Sequence, residues 1–263
     1  MTTLSYAAHD SATMLRRNLK RMVRYPALTM FVIGGPLVFL LLFVFVFGGT
    51  LGAGLGGTSG GRAEYLRYVV PGILMMTVAG TAQGTAISVA MDMTEGIVAR
   101  FRTMAISRAA VLTGHVVGAV IQTMLAIVVV VGFALLLGFR PSAGPVEWVA
   151  AIGVLMLITV AVTWLAVGLG MAAKSVESAS NAPSALLLLP FFGSGFVPTD
   201  SLPAGLRWFA EYQPFTAVIE TVRGLLTGGP IGNNALIAAA WCVAIAVLGY
   251  LWALRSYNRD PAR

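Results

Sequence analysis

The chain has almost none of the residues from which most active centres are built. It carries one cysteine, Cys242, and two histidines, His9 and His115, in 263 residues. A disulfide framework and a cysteine metal site are thereby excluded, and neither histidine has a partner at metal-ligand spacing. Charge is also scarce, at 10% of residues against 58% hydrophobic, where a soluble domain carries about 25% charged residues. No G-x-x-x-x-G-K-[ST] is present, so the chain has no P-loop, and any ATP it uses must be bound by another chain. G-x-S-x-G, H-E-x-x-H and an intramembrane pair of acids are missing too, which weakens the case for a membrane enzyme. Gly52-Ala53-Gly54-Leu55-Gly56-Gly57 satisfies G-x-G-x-x-G. It follows an apolar helix rather than a strand and runs on into Thr58-Ser59-Gly60-Gly61, so it reads as a flexible connection.

What is present is apolar length. Uncharged stretches of roughly 18 residues or more, enough to cross a bilayer, recur along the whole chain. They predict six spans, at about 26–48, 68–91, 116–138, 148–172, 179–198 and 233–254. Pro183 and Pro190 interrupt the fifth, and two glycines follow. The expected fold is an all-α polytopic membrane protein forming one domain over 1–263. It comprises a cytoplasmic amphipathic helix (1–25), a six-span core (26–254) and a cytoplasmic tail (255–263). The first apolar run starts near Tyr25 and is too long for the h-region of a cleavable signal peptide.

Orientation follows from the basic residues. Of the 17 Lys and Arg, twelve fall in the N-terminal segment, the second and fourth connections and the tail. The other three connections hold only Arg62, Arg67, Arg140, Arg207 and Arg223. Acidic residues divide evenly, so the net charge of +7 lies on one side. Both termini are expected to be cytoplasmic. Topology thus explains the basic balance, and no basic patch with interleaved aromatics suggests nucleic acid.

Three segments between the spans carry information. Before the first span, Leu15, Leu19, Met22 and Val23 share a helical face, with Arg16, Arg17, Lys20, Arg21 and Arg24 around it. This predicts a basic amphipathic helix in the cytoplasmic interface, or a plain topological anchor. The connection 92–115 begins with Asp92, Glu95 and Gly96, continues through Arg100, Phe101 and Arg102, and has Met104 and Ile106 without a core of its own. It reads as a short helix plugged into a partner protein, or as a solvated loop dipping into the interface. His115, where the third span begins, reads as interfacial. In 190–230, Pro198, Pro203 and Pro214 leave apolar pieces too short to span. Two half-helices are expected there, about 203–212 and 214–226, in or re-entering the outer leaflet, anchored by Trp208, Phe209 and Tyr212. Glu220 and Arg223 would meet on one face of the second. Within the second span, Thr77, Thr81, Gly84, Thr85 and Ser88 form a small, hydroxylated face with Gln83 beside it. That face suits either close helix packing, through Gly80-x-x-x-Gly84, or the lining of a translocation route.

These residues resemble a family. Glu95-Gly96, Arg100-Phe101-Arg102 and Ser107-Arg108 look like the loop between spans two and three of type-2 ABC exporter permeases. Phe196-Val197-Pro198, Leu202-Pro203, Gln213-Pro214-Phe215-Thr216, Ile219-Glu220 and Arg223-Gly224-Leu225-Leu226 resemble the stretch before that family's last span. Ala105 stands where Pro is frequent, and Gln213 where Asn is. Within the family the chain is most similar to daunorubicin/doxorubicin-resistance permeases of actinobacteria. The resemblance implies a transport subunit of the bacterial plasma membrane without its own nucleotide site. ATP and Mg would be held by separate ATPase subunits, and a second permease copy, identical or paralogous, would complete a dimer. Glu95, Gly96, Arg100, Phe101 and Arg102 become candidates for ATPase coupling. Thr77, Thr81, Gln83, Thr85 and Ser88 become candidates for the translocation lining, and Pro198, Pro214, Glu220 and Arg223 for an external gate. The expected substrate is an amphipathic drug-like or lipidic molecule. Export of envelope lipid or glycan by the same fold is an alternative, as is a non-transporting scaffold or membrane enzyme. A secondary transporter fits worse, because the spans lack charged residues suited to ion coupling.

Overall fold

The computed structural model describes residues 26–54, 61–95, 108–173 and 175–258, and these contain helices and turns but no strand. Helix α1 (Pro26–Leu41) continues through a π-helical turn (Leu42–Phe47) into α2 (Gly48–Ala53). Three long helices follow: α3 (Arg62–Thr94), α4 (Arg108–Leu136) and α5 (Pro145–Ala172). Then come the short α6 (Val176–Leu188), a 3-10 turn (Thr199–Ser201), α7 (Ala204–Tyr212), α8 (Pro214–Thr227) and the long α9 (Asn234–Asn258). The expected helix of 1–25 lies outside the described residues, as do 55–60, 96–107 within the 92–115 connection, Lys174 and the end of the tail.

Five stretches are long and apolar enough to cross a membrane: Val32–Ala53, Arg62–Thr94, Leu112–Leu136, Pro145–Ala172 and Asn234–Tyr257. They coincide with five of the six expected spans. The helices are longer than the apolar runs, and α3 and α9 wind on past charged residues at their ends, Asp92 and Arg255. Gly52 and Ala53, expected in a flexible connection, belong to α2. The fifth expected span is not one continuous helix. Ser175 and Ser178 form a reciprocal capping box that starts α6, and the helix stops at Leu188, just before Pro190. Proline removes a backbone donor and restricts the residue before it, so the chain turns through 189–197 instead. The two expected half-helices are α7 and α8, within a residue of their predicted limits.

Local chemistry sets the other ends. Pro145 and Pro214 occupy the first turns of α5 and α8, where a missing N–H costs nothing. Gly138 closes α4 with φ +101°, and the Phe139 N–H reaches back to the Ala134 carbonyl at 2.9 Å, the bond of a Schellman end.

Helix α3 is the central post. It touches α1, α2, α4, α5, α6 and α8, while α9 is held against α5 and α8. Tyr65, Ile73, Leu74 and Met75 of α3 are fully buried. Apolar side chains cover the outside instead: Val38 and Val46, Val128 and Leu136 of α4, Val146 and Val149 of α5, and Leu236 and Leu248 of α9 are exposed. Such faces suit lipid, where burying apolar groups brings no gain and packing depends on close fit. Glycines supply that fit. A Cβ on Gly72 of α3 would stand 2.4 Å from the Gly195 carbonyl, one on Gly170 of α5 2.5 Å from that of Ala86, and one on Gly249 of α9 2.6 Å from the Leu165 nitrogen. Backbone therefore meets backbone at three crossings.

Gly72→Ala should lower the stability of the purified subunit by about 1–3 kcal/mol, the scale of overpacking. Gly84→Ala, whose Cβ would meet nothing within 4 Å, should leave the melting temperature unchanged. Thermal unfolding in detergent compares the two.

Candidate functional site

The break after α6 leaves backbone groups without helical partners, and where such groups are buried they need partners from elsewhere in the protein. Side chains from α3 and the α7–α8 region supply the partners. The Gln213 amide donates to the Leu189 carbonyl at 2.8 Å, and the Tyr65 hydroxyl donates to the Phe196 carbonyl at 3.1 Å. The Ser194 N–H donates to the Thr216 hydroxyl at 3.4 Å, and Arg223 Nη2 donates to the Ser194 carbonyl at 2.6 Å. Aromatic rings fill the space beside the break. Phe191 and Phe196 stack with centroids 4.4 Å apart, and Phe43 lies 4.5 Å from Phe196.

Arg223 is the hub. Its Nη2 also donates to the Tyr68 carbonyl at 3.2 Å, its guanidinium carbon sits 3.9 Å from the centre of the Tyr68 ring, and Nη1 bonds Glu220. The Tyr68 carbonyl lies beside Pro71, which deprives the neighbouring Arg67 carbonyl of its helical donor. One planar fork thus ties α8 to α3 and to the broken stretch, a task that suits five fixed donors better than an ammonium. The expected Glu220–Arg223 contact is present. Pro198 precedes the 3-10 turn and Pro214 starts α8. Gln213 and Thr216 were not among the candidates, although Gln213, Thr216, Glu220 and Arg223 recur at i, i+3, i+7 and i+10. That polar stripe on an apolar helix is the signal that could have found them. Ser194 Oγ, Gln213 Oε1 and Arg223 Nε are buried without a hydrogen-bond partner in the structure.

The candidate lining of the second span divides. Thr77, Thr81 and Thr85 are buried within the single chain, and their hydroxyls donate to the carbonyls of Ile73, Thr77 and Thr81 at 3.0, 2.9 and 2.8 Å. They are turned inward within the subunit, as close helix packing requires. Gln83, Gly84 and Ser88 lie on a half-buried stripe with Gly80 and Ile87. Gln83 donates to the Ser180 carbonyl at 3.0 Å, which joins this stripe to α6. The outer side of α6 is polar or small over its first three turns, where Glu177, Ser178, Asn181, Ala182 and Ala185 are exposed, and apolar at its end, where Leu188 is exposed. Sequence reasoning missed Ser178 and Asn181, because hydropathy averages over a helix and does not report which side faces out.

At the end bearing the 96–107 connection, the Glu95 N–H closes α3 on the Met91 carbonyl at 2.9 Å. Gly96, Arg100, Phe101 and Arg102 lie outside the described residues. His115 is not interfacial but buried, with Nε2 3.2 Å from the Asp92 carboxylate, itself buried. The helix α4 begins at Arg108, two turns earlier than the apolar run implied, and this draws the imidazole inside.

Arg223→Ala should lower stability by about 2–3 kcal/mol, the scale for losing hydrogen bonds to a charged group. Arg223→Lys should recover only part of this, since an ammonium cannot reach both carbonyls and Glu220 in the same geometry. Thermal unfolding of the two variants beside Glu220→Ala tests the ranking, with Glu220→Ala the mildest.

Comparison with known proteins agrees with this architecture. The ABC-2 type transporter family profile matches residues 10–227. The daunorubicin resistance ABC transporter permease protein DrrB1 of Streptomyces coeruleorubidus is 29% identical over 224 residues, covering 84% of this chain and 76% of that protein. The probable doxorubicin resistance ABC transporter permease protein DrrC of Mycobacterium tuberculosis is 24% identical over 183 residues, covering 70% and 66%. Apolar helices around a central post, a polar belt at the break after α6 and a profile match over most of the length agree: this chain belongs to the ABC-2 type transporter family.

Proposed function

We propose that the chain is the permease subunit of an ATP-driven exporter, moving an amphipathic, drug-like or lipidic molecule out of the cytoplasm or the inner leaflet. Separate ATPase subunits bind ATP and Mg, in keeping with the absence of a P-loop here. The relatives are named for resistance to daunorubicin and doxorubicin, and a drug-like amphipath is the reading carried over from those names. The protein sits in the bacterial plasma membrane with both termini cytoplasmic, as the basic residues predict.

The broken segment completes the sixth crossing. Its Ser180 end meets Gln83 and its Phe196 end meets Tyr65. Eighteen residues of α3 separate those two partners, about 27 Å of helix rise, close to the roughly 30 Å hydrocarbon thickness. The observation that carries the functional reading is the polar outer side of α6 beside the half-open stripe of α3. Polar side chains facing outward at membrane depth need a protein partner or a wet route. A second permease copy facing this surface across the translocation route supplies both. Gln83 and Ser88, rather than the inward threonines, line that route, with Asn181 and Ser178 opposite in the same subunit. The Gln213–Arg223 stripe, with Pro198 and Pro214 at its ends, is the external gate. Its incompletely satisfied polar atoms support this, because a layer short of partners loses less on rearranging. Glu95, Gly96, Arg100, Phe101 and Arg102 couple to the ATPase.

In a background with Cys242→Ser, cysteines at Gln83 or Asn181 should cross-link between subunits and be shielded by daunorubicin, whereas cysteines at Thr77 and Thr81 should not. Cross-links confined to one subunit would refute the dimer face. Cysteines at Asp200 and Pro230 should react with a membrane-impermeant reagent from outside the cell. Labelling of either only from the cytoplasm would overturn six crossings. Charge reversal at Glu95 or Arg102 should leave insertion normal and uncouple hydrolysis from transport, read as drug moved per ATP in proteoliposomes.

A further inference from the structure

The Asp92–His115 pair has no part in the functions assigned so far, yet its placement is specific. Among the described residues it is the one contact between an acidic and a basic side chain in which both are less than a tenth exposed, at 2% and 7%. Asp92 lies in the last turn of α3 and His115 in the second turn of α4. They stand on the two stems of the 96–107 connection, one on each side. Around them lies a small apolar cluster separate from the main core: Val89 and Leu112, Val116 of α4, Met171 of α5 and Tyr257 of α9. A little further along α3, the Gly170 crossing presses the α5 backbone against Ala86, so this end of α3 moves with α5. Gln83, on the half-open stripe, lies nine residues from Asp92, about 14 Å along the same helix.

We infer that Asp92 and His115 form a clasp that holds the two stems of the coupling connection together, so that a displacement imposed on 96–107 reaches the α3–α6 face as one rigid movement. This rests on the reading that 96–107 engages the ATPase. The physical reason is geometric. A force applied to the tip of a connection between two helices can either splay its stems or carry both. Apolar contacts permit sliding, whereas a hydrogen bond between an imidazole N–H and a carboxylate fixes distance and direction together. Both side chains are buried, so the contact is shielded from bulk solvent, and losing it removes one partner of a buried carboxylate. Asp92 and His115 are therefore positioning residues.

The clasp separates from mere structural support by replacing both members. Replacing both members of a buried polar pair by well-packed apolar residues is often neutral or stabilising. Asp92→Leu/His115→Leu should therefore fold, reach wild-type levels in the membrane and still co-purify with the ATPase. The readout is a cysteine at Asn181 in the Cys242→Ser background, labelled with maleimide in nucleotide-free and ATP-vanadate states of the whole complex. The nucleotide-dependent change in labelling rate should fall about fivefold or more, the lower range of a coupling energy between sites. Asp92→Asn/His115→Gln, which keeps a hydrogen bond with amides, should retain most of it. A full nucleotide response in the Leu/Leu variant with the ATPase attached would overturn the clasp alone. A Leu/Leu variant that fails to accumulate, together with an Asn/Gln variant that accumulates but has lost the response, would overturn it as well. Absence of any nucleotide response at Asn181 with both residues intact would instead overturn the coupling reading, and the clasp with it.

Discussion

Every backbone polar group in a lipid-embedded chain needs a partner from the protein, and the arrangement of this molecule depends on how that demand is met at one place. Continuous helices satisfy it internally, and five segments here do so. The segment after α6 does not. Its carbonyls at Leu189, Ser194 and Phe196 are taken up by Gln213, Arg223 and Tyr65. The requirement explains why α8 carries a polar stripe on an apolar helix and why it lies against α3. It also accounts for Arg223, which donates to the Ser194 carbonyl of the break and to the Tyr68 carbonyl of α3 while Glu220 holds its other terminal nitrogen.

Close approach of backbones is the second constraint, and it follows from the first. The broken stretch can reach its donors only if it lies against α3, and Gly72 facing Gly195 permits that contact. Gly170 and Gly249 do the same for α5 and α9. Where no hydrophobic gain accompanies helix association, such crossings carry much of the packing.

The two ends of the molecule differ in character. One has the polar belt around Arg223, with buried atoms still lacking partners. The other has a small apolar cluster with the Asp92–His115 pair inside it. Between them runs the half-open stripe of α3 beside the polar side of α6.

Much of this was legible from residue order alone. Apolar runs, basic asymmetry and prolines determined a helical membrane protein, the five long spans, the two short helices after Pro203 and Pro214, and the Glu220–Arg223 contact. These depend on local properties: hydropathy over one helix, ring constraints at one residue, or spacing of three along one turn. Tertiary structure decided what depends on neighbours distant in sequence. Thr77, Thr81 and Thr85 look from their spacing like an exposed hydroxyl face, but packing against other helices turns them inward, where each bonds its own backbone. Gln213 and Thr216 acquire a role only because a break 20 or so residues earlier needs donors. Asp92 and His115 meet because α4 starts two turns before its apolar run and folds back on α3. A sequence states which side chains exist and which share a helical face. Which face is covered, and by what, depends on how helices pack, and no local pattern records that.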